Sequence, residues 1–164
     1  GHVPPMTARF SLSSSTANVD VAPFRQHGRI DMYMDDDILI YDAVGPFNVE
    51  TLDAMAIAQM GFLRDLPRTG RPWGSIAQFR VSAMTSPEGL ARYTALMKAP
   101  KPPELQSVAT AFVFGPDVEG GRIMEGHYRR IYEAIGRPFA CFETLPEAKA
   151  WVHAQLAAPS APVV

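Results

Sequence analysis

The sequence has little cysteine and no excess of positive charge, and each shortage excludes a class of protein. The single cysteine, Cys141, cannot form an internal disulfide, and a chain of 164 residues is long enough to fold without one. The 15 Lys and Arg residues against 17 Asp and Glu give a formal charge of -2, which argues against binding to nucleic-acid phosphates. We expect no nucleic-acid partner and a buried thiol at Cys141.

Long apolar runs are also missing. No stretch approaches the roughly 18 apolar residues that span a bilayer, and the amino-terminal segment lacks a basic-then-apolar signal pattern. Residues 1–5 resemble a cloning remnant, with Met6 as the expected natural start. We therefore expect a cytoplasmic protein without a membrane span.

The composition that remains is globular, with 47% apolar residues, but both ends are poor in large apolar side chains. Residues 7–27 are rich in Ser, Thr and Ala, which predicts a mobile arm, and two prolines predict a frayed tail after residue 156. The predicted organisation is a tag remnant and flexible arm at 1–27, one domain at 28–156 and a flexible tail at 157–164.

The first half of the predicted domain is a hairpin followed by a helix. Strand-like segments at 29–34 and 38–44 flank three aspartates, which favour a turn. Asn48 is a preferred helix cap, and the apolar positions after it follow helical spacing with Gln59 as the one interruption. A second line of small or apolar residues gives this helix another apolar face: Ala54, Ile57, Ala58 and Gly61.

The second half alternates strands with helices. Ser86 and Asp117 are predicted to cap two helices, and Gly136 is predicted to end the second of them. Thr144 and Glu147 have capping-box spacing at the start of the last helix. Strands are predicted at 75–81, 108–114 and 139–142. The order β-β-α-β-α-β-α-β-α predicts an α/β fold with a mixed, mainly parallel five-stranded sheet covered by four helices.

This element order and three short motifs resemble the STAS domain of bacterial anti-sigma-factor antagonists, the SpoIIAA-like group. The segment Gly45-Pro46-Phe47-Asn48 is similar to the family's Gly-x-Leu-Asp step from strand to helix. The segment from Met84 to Leu90 is similar to the family's Met-Asp-Ser-Ser-Gly-Leu segment, and the close from Cys141 to Trp151 resembles the family's last strand, turn and helix.

The resemblance implies a regulatory role for Ser86, which matches the serine that an anti-sigma kinase phosphorylates in the family. Two departures are Thr85 in place of the preceding Asp, and Pro87-Glu88 inserted before the Gly-Leu pair. Loops after the carboxyl ends of parallel strands commonly form the binding site. That rim is predicted to carry Asn48, Ser82, Thr85, Ser86, Asp117, Glu119 and Glu143.

Other polar motifs have simpler interpretations. The three aspartates at 35–37 are predicted to be a solvated turn, because calcium needs six or more staggered oxygens. The glycine-rich segment at 114–121 fits neither known phosphate loop, and Asp117 and Glu119 would repel phosphate there. His127 lies on an apolar helix face without a second ligand at metal spacing. We expect no metal, no cofactor and no catalytic residue.

Three functions fit the sequence. The leading hypothesis is a non-enzymatic, STAS-like regulatory or protein-interaction module that uses the rim and forms a homodimer through apolar helix surface. The alternative is a carrier or sensor of a small apolar or lipid-like ligand, which the extra helix face, Trp73, eight methionines and the fold's kinship with Sec14-like domains favour. The third is a hydrolase using Ser86, His127 and a rim carboxylate, for which no diagnostic spacing is present.

Overall fold

The computed structural model of the protein describes residues 13–19, 27–67 and 69–158, and these contain one six-stranded sheet and four α-helices. The strands are β1 (Ser13–Ser15), β2 (Arg29–Asp35), β3 (Ile38–Val44), β4 (Gly74–Arg80), β5 (Thr110–Phe114) and β6 (Phe139–Phe142). The helices are α1 (Val49–Asp65), α2 (Pro87–Lys98), α3 (Gly121–Ala134) and α4 (Leu145–Ala157). The fold class is α/β, as the sequence predicts.

The sheet is mixed, and its strands lie side by side in chain order. Strands β1, β2 and β3 pair antiparallel, while β3, β4, β5 and β6 pair parallel. This arrangement corrects the predicted mainly parallel five-stranded sheet. The sixth strand is β1, which comes from the segment predicted to be a mobile arm.

Strand β1 escapes prediction because hydrogen bonds, rather than an apolar stripe, hold it in place. Its three residues are all serine, and Ser13 pairs with Tyr33 of β2. Thr16, just after β1, is fully buried, and its Oγ1 accepts a hydrogen bond from the Ile30 amide at 2.9 Å. The rest of the predicted arm, residues 1–12 and 20–26, and tail residues 159–164 lie outside the described residues.

The predicted hairpin and three of the predicted helix caps are confirmed. Asp36 adopts the left-handed conformation, with φ of 55°, in the turn between β2 and β3. Asn48, Ser86 and Thr144 each accept a hydrogen bond from the amide three residues ahead, at 3.1, 3.1 and 3.4 Å. Each bond satisfies an amide that the first turn of a helix would otherwise leave without a partner.

The predicted cap at Asp117 is wrong, because α3 begins four residues later. Asp117 lies in an exposed turn closed by a hydrogen bond from the Val118 amide to the Gly115 carbonyl. Glu119 then forms a β-bridge with Ser82, which keeps the chain extended before the helix. Gly120 turns the chain with φ of 73°, a conformation that favours glycine. Gly136, with φ of 71°, ends the helix as predicted.

The four helices divide unequally between the two faces of the sheet. Helices α1, α2 and α3 cover one face, where the aromatic side chains of β4 and β5 are buried. Helix α4 covers the other face with Ala148 and Val152, against Ile38, Ile40 and Ile76. Burying side chains of this size stabilises the fold by about 1.5–3 kcal/mol each. No described helix has both the length and the apolar character needed to cross a bilayer.

Candidate functional site: a cavity beneath three helices

A cavity of about 80 Å³ lies between the sheet and the layer of α1, α2 and α3. It exists where the strands carry small side chains, Ala43 on β3 and Ala77 on β4. Most of its wall is apolar. The apolar and aromatic lining residues are Ile30, Ala43, Phe47, Leu52, Met55, Trp73, Ala77, Phe79, Met97, Leu105 and Phe112.

The aromatic part of the wall is rigid because its rings pack edge to face. The Phe112 ring lies 5.0 Å from the Tyr128 ring and 5.0 Å from the Phe139 ring, centroid to centroid. Phe47 and Phe79 meet at 6.0 Å in a T-shaped contact. Such pairs add about 0.5–1.5 kcal/mol each beyond simple burial, so this wall holds its shape.

Four tyrosines line the cavity: Tyr41, Tyr93, Tyr128 and Tyr132. The hydroxyls of Tyr93 and Tyr132 are hydrogen-bonded to each other, and the Tyr128 hydroxyl bonds to Thr85 Oγ1 at 2.8 Å. Burial raises the pKa of Tyr128 to about 12 and raises the pKa of the other three above the ordinary value. In the described part of the chain, the Tyr41 hydroxyl has no hydrogen-bond partner.

Three buried hydroxyl groups border the same cavity, and they form hydrogen bonds with one another. Ser75 Oγ lies 2.8 Å from both Ser107 Oγ and Thr110 Oγ1. Ser107 Oγ donates in turn to the Ala109 carbonyl at 2.7 Å. These groups sit where β4 and β5 begin, so this end of the cavity is polar although it is buried.

Two cations lie beside this polar end. Lys101 and Arg137 line the cavity and also a second, more polar cleft of about 330 Å³, as do Met97 and Ser107. We call these four residues the throat, because they line both the cavity and the cleft. Lys101 belongs to the connection from α2 to β5, and Arg137 to the connection from α3 to β6.

Neither throat cation has an acidic partner in the described part of the chain, where no carboxylate oxygen lies within 4.0 Å of either. Lys101 Nζ donates to the Leu96 carbonyl at 2.9 Å, and the Arg137 guanidinium lies 5.8 Å from the Tyr132 ring centroid. Desolvation, and then the neighbouring Arg137 charge, lower the pKa of Lys101. The throat is therefore a half-buried site of positive charge.

The predicted rim lies at the opposite ends of the strands, and the structure brings part of it together. Ser82 Oγ donates to Glu119 Oε1 at 2.9 Å, and the Glu119 carbonyl accepts from the Ala83 amide at 2.8 Å. Thr85 reaches Tyr128 of α3. Asp117 and Glu143 are exposed and stay apart from these contacts. A binding role for the rim stays a prediction.

Asn48 and Ser86, two of the rim residues, cap the first turns of α1 and α2. Asn48 Oδ1 also accepts a hydrogen bond from the His27 amide at 3.0 Å, which fastens the segment before β2. Ser86 Oγ bonds to the Gly89 amide. A regulatory role for Ser86 therefore has to act together with capping, since phosphorylation would change the same oxygen.

Sequence reasoning missed an unusual backbone position on the rim, Val81. Its φ of 67° lies in the left-handed region, and the Ser82 amide donates to the Arg80 carbonyl at 2.7 Å to close a γ-turn around it. The side chain is 66% exposed. A β-branched residue rarely adopts this conformation, so nothing in the sequence indicates the turn.

The residues of the hydrolase hypothesis have separate partners. Ser86 caps α2, while His127 Nδ1 lies 3.0 Å from Arg130 Nη2 on α3. In the part of the chain that the structure describes, no contact joins Ser86 to His127. The thiol of Cys141 is half-buried in β6, and burial followed by the nearby Glu125 raises its pKa, so it is kept protonated.

The acidic turn and the glycine-rich segment have local explanations. Asp35 forms an ion pair with Lys149 at 2.5 Å, and Asp37 one with Arg71 at 3.0 Å. Across residues 13–19, 27–67 and 69–158, no group of three or more acidic, histidine or cysteine side chains has metal-site geometry. The segment at 114–121 borders a cleft that three glutamates also line, which disfavours phosphate there.

Two cavity residues stand out in the sequence, Gln59 and Trp73. Gln59 interrupts the apolar stripe of α1, and the structure places it on the cavity wall, where its side chain has no hydrogen-bond partner in the described part of the chain. Trp73, for which the sequence favours simple burial slightly over contact with an apolar ligand or a partner, also lines the cavity, and its Nε1 donates to the Glu104 carbonyl at 3.0 Å. Lys101 and Arg137 carry no motif.

Comparison with known proteins adds no identity: no protein-family model, no curated protein and no solved structure matches this chain.

Proposed function

We propose that this protein is a non-catalytic module that holds a small, largely apolar molecule in the cavity beneath α1, α2 and α3, as a carrier or a sensor. The cavity itself is the observation that supports this function most directly. Apolar walls that carry a few convergent polar groups are typical of small-molecule sites. Here those polar groups are Tyr41, Gln59, Lys101 and Arg137.

The size of the cavity limits the ligand. Its 80 Å³ is roughly half of the ~150 Å³ of a cavity that holds benzene, so the buried part of the ligand is a short alkyl chain or a similar small group. The rest of the molecule has to extend through the throat into the polar cleft of about 330 Å³. An amphipathic molecule of small size satisfies both spaces.

Hexanamide, a neutral amphipathic molecule of suitable length, is the probe that tests this function. We expect saturable binding to the wild-type chain by calorimetry, because the alkyl part leaves water for an apolar wall. Ala77→Leu, which places a larger side chain inside the cavity, is expected to abolish that binding. The matched control, Ala91→Leu, makes the same substitution on the exposed surface of α2 and is expected to leave binding unchanged.

Equal hexanamide binding by wild type and Ala77→Leu would reject the cavity as the site. Native mass spectrometry of the gently ionised chain gives an independent reading of the same proposal. A reproducible added mass in the wild type that Ala77→Leu lacks is the supporting result.

A second candidate function is a STAS-like regulatory or protein-interaction module that associates with a copy of itself. The motifs around Asn48 and Ser86 support the family resemblance, and Ile57 of α1, which is 57% exposed, supports an association surface. Sedimentation velocity of wild type and Ile57→Glu tests this function. A dimer that the substitution converts to monomer supports it, and a wild-type monomer at high concentration removes the self-association part.

A further inference from the structure

We infer that the ligand is an aliphatic monocarboxylate whose acid group lies in the throat between Lys101 and Arg137, with its alkyl chain in the cavity. This inference rests on the proposed function and adds the chemical class of the ligand. The two throat residues and their lack of an acidic partner are the observations that carry it.

The throat cations are distinguished by where they lie: half of the described Lys and Arg residues form no ion pair, but among them only Lys101 and Arg137 line the cavity. Five arginines form ion pairs within 4.0 Å: Arg29, Arg71, Arg80, Arg92 and Arg129. Arg137 and Lys101 are half-buried beside an apolar cavity and have no such partner among the described residues. The carbonyl ends of α2 and α3 compensate these charges in part, and a ligand anion would supply the full opposite charge that no described carboxylate supplies.

Two neutral donors face the same space. The Tyr41 hydroxyl and the Gln59 amide line the cavity, and neither has a hydrogen-bond partner in the described part of the chain. Arg137 lines the same cavity as these two donors. A carboxylate oxygen at the throat could accept from Arg137 and Tyr41 together, and bonds to a charged acceptor are the stronger kind.

The local field favours one negative charge over two. The throat lies just past the carboxyl-terminal ends of α2 and α3, where helix dipoles are negative. Lys101 already gives one hydrogen bond to the Leu96 carbonyl in the last turn of α2. No backbone amides of a helix start point at the throat from α2 or α3, because both helices begin at the other edge of the sheet. A singly charged carboxylate therefore fits better than a phosphate monoester.

Calorimetry on the full chain with three matched probes tests the class: hexanoate, hexanamide and hexyl phosphate. We expect hexanoate to bind about tenfold or more tightly than hexanamide, because a charge-assisted hydrogen bond replaces a neutral one. Arg137→Gln and Lys101→Gln are each expected to remove most of that preference, because they weaken hexanoate binding more than hexanamide binding. The control Arg122→Gln, an exposed arginine of α3, should leave all three affinities unchanged.

The outcomes distinguish a failure of the carboxylate inference from a failure of the proposed small-molecule-binding function. Equal binding of hexanoate and hexanamide would overturn the carboxylate and leave the cavity function in place. Tightest binding of hexyl phosphate would overturn the choice of a monoanion. Failure of all three probes to bind would overturn the proposed function itself. A cooperative thermal transition in each Gln variant shows that it is folded, so a lost preference for hexanoate is then an effect of the changed throat residue.

Discussion

The backbone of Val81 adopts a left-handed conformation that is sterically unfavourable for a β-branched side chain. The γ-turn places φ at 67°, where the branched Cβ crowds the neighbouring carbonyl, and such positions cost of order 1–3 kcal/mol. The side chain recovers little of that cost because most of it is exposed. The strain is therefore a local property of one residue, imposed by the β-bridge between Ser82 and Glu119 that follows it.

Val81→Gly is expected to stabilise the protein by about 1 kcal/mol, since glycine adopts positive φ without steric cost. Urea denaturation followed by tryptophan fluorescence measures the change. The control Val81→Ala keeps a Cβ and should gain much less. A loss of stability in Val81→Gly would show that the turn is not strained.

The buried tyrosines make a second prediction at the residue scale. Burial raises the pKa of Tyr41, Tyr93, Tyr128 and Tyr132 in the folded protein, while an unfolded phenol ionises near pH 10. Their contribution to stability is present below that pH and is lost as the pH rises further; for Tyr128 the loss extends to about pH 12. Ultraviolet difference absorbance at about pH 10 should show four tyrosines ionising only when the chain unfolds. Their titration in the native protein at that pH would contradict the burial.

Local signals were enough to predict the helices and strands from 29 onward, and the reasons are visible in particular residues. Asn48, Ser86 and Thr144 cap helices through hydrogen bonds from amides three positions ahead. A capping residue and its partner are therefore close in the sequence, and a short segment is enough to predict them. The late start of α3 was not predictable in this way, because it depends on the bridge from Glu119 to Ser82, a partner far away in the chain.

Strand β1 shows the same limit at the scale of an element. Its three serines have no apolar alternation, and its position is fixed by the strand that it meets and by Thr16. The Thr16 hydroxyl accepts a hydrogen bond from a buried amide of β2. The position of β1 at the edge of the sheet therefore depends on this one hydroxyl group.

Thr16→Val is expected to lower the free energy of unfolding by about 1–3 kcal/mol, since it leaves the buried Ile30 amide without that acceptor. Thr16→Ser retains the hydroxyl and serves as the control, with a smaller loss from the missing methyl group. Hydrogen exchange at the Ile30 amide locates the effect. A Val variant as stable as the wild type would show that the Thr16 hydrogen bond contributes nothing.

The cavity could not be predicted from the sequence for a reason of topology. Lys101 and Arg137 stand in two separate connections, each just before a parallel strand, and only the completed sheet brings them to one edge. That edge holds the amino ends of β4, β5 and β6, whereas reasoning from open α/β sheets directs attention to the carboxyl ends. Gln59 interrupts the apolar stripe of α1, but its neighbours in the cavity lie on other elements.

The molecule as a whole has helices on both faces of one sheet, and α4 packs alone on the face away from the cavity. Val152→Ala removes two methyl groups from a fully buried site and is expected to destabilise the protein by about 2 kcal/mol. Because the sheet separates this site from the cavity, hexanamide affinity should stay unchanged below the unfolding temperature. Parallel denaturation and calorimetry measure both quantities, and a large change in affinity would show that the layers are coupled.

Under the proposed function, the throat would govern how quickly a bound molecule leaves. An alkyl chain leaving through it would pass between two connections, and one of them contains prolines 100, 102 and 103. Proline restricts the backbone, so the opening widens rarely compared with a loop of glycine and serine. A ligand held behind such a passage would leave slowly even if its affinity were modest. The protein would then act as a reservoir that averages ligand supply over time. The dissociation rate after dilution, compared between the wild type and a Pro102→Gly variant, measures directly how slowly the ligand leaves.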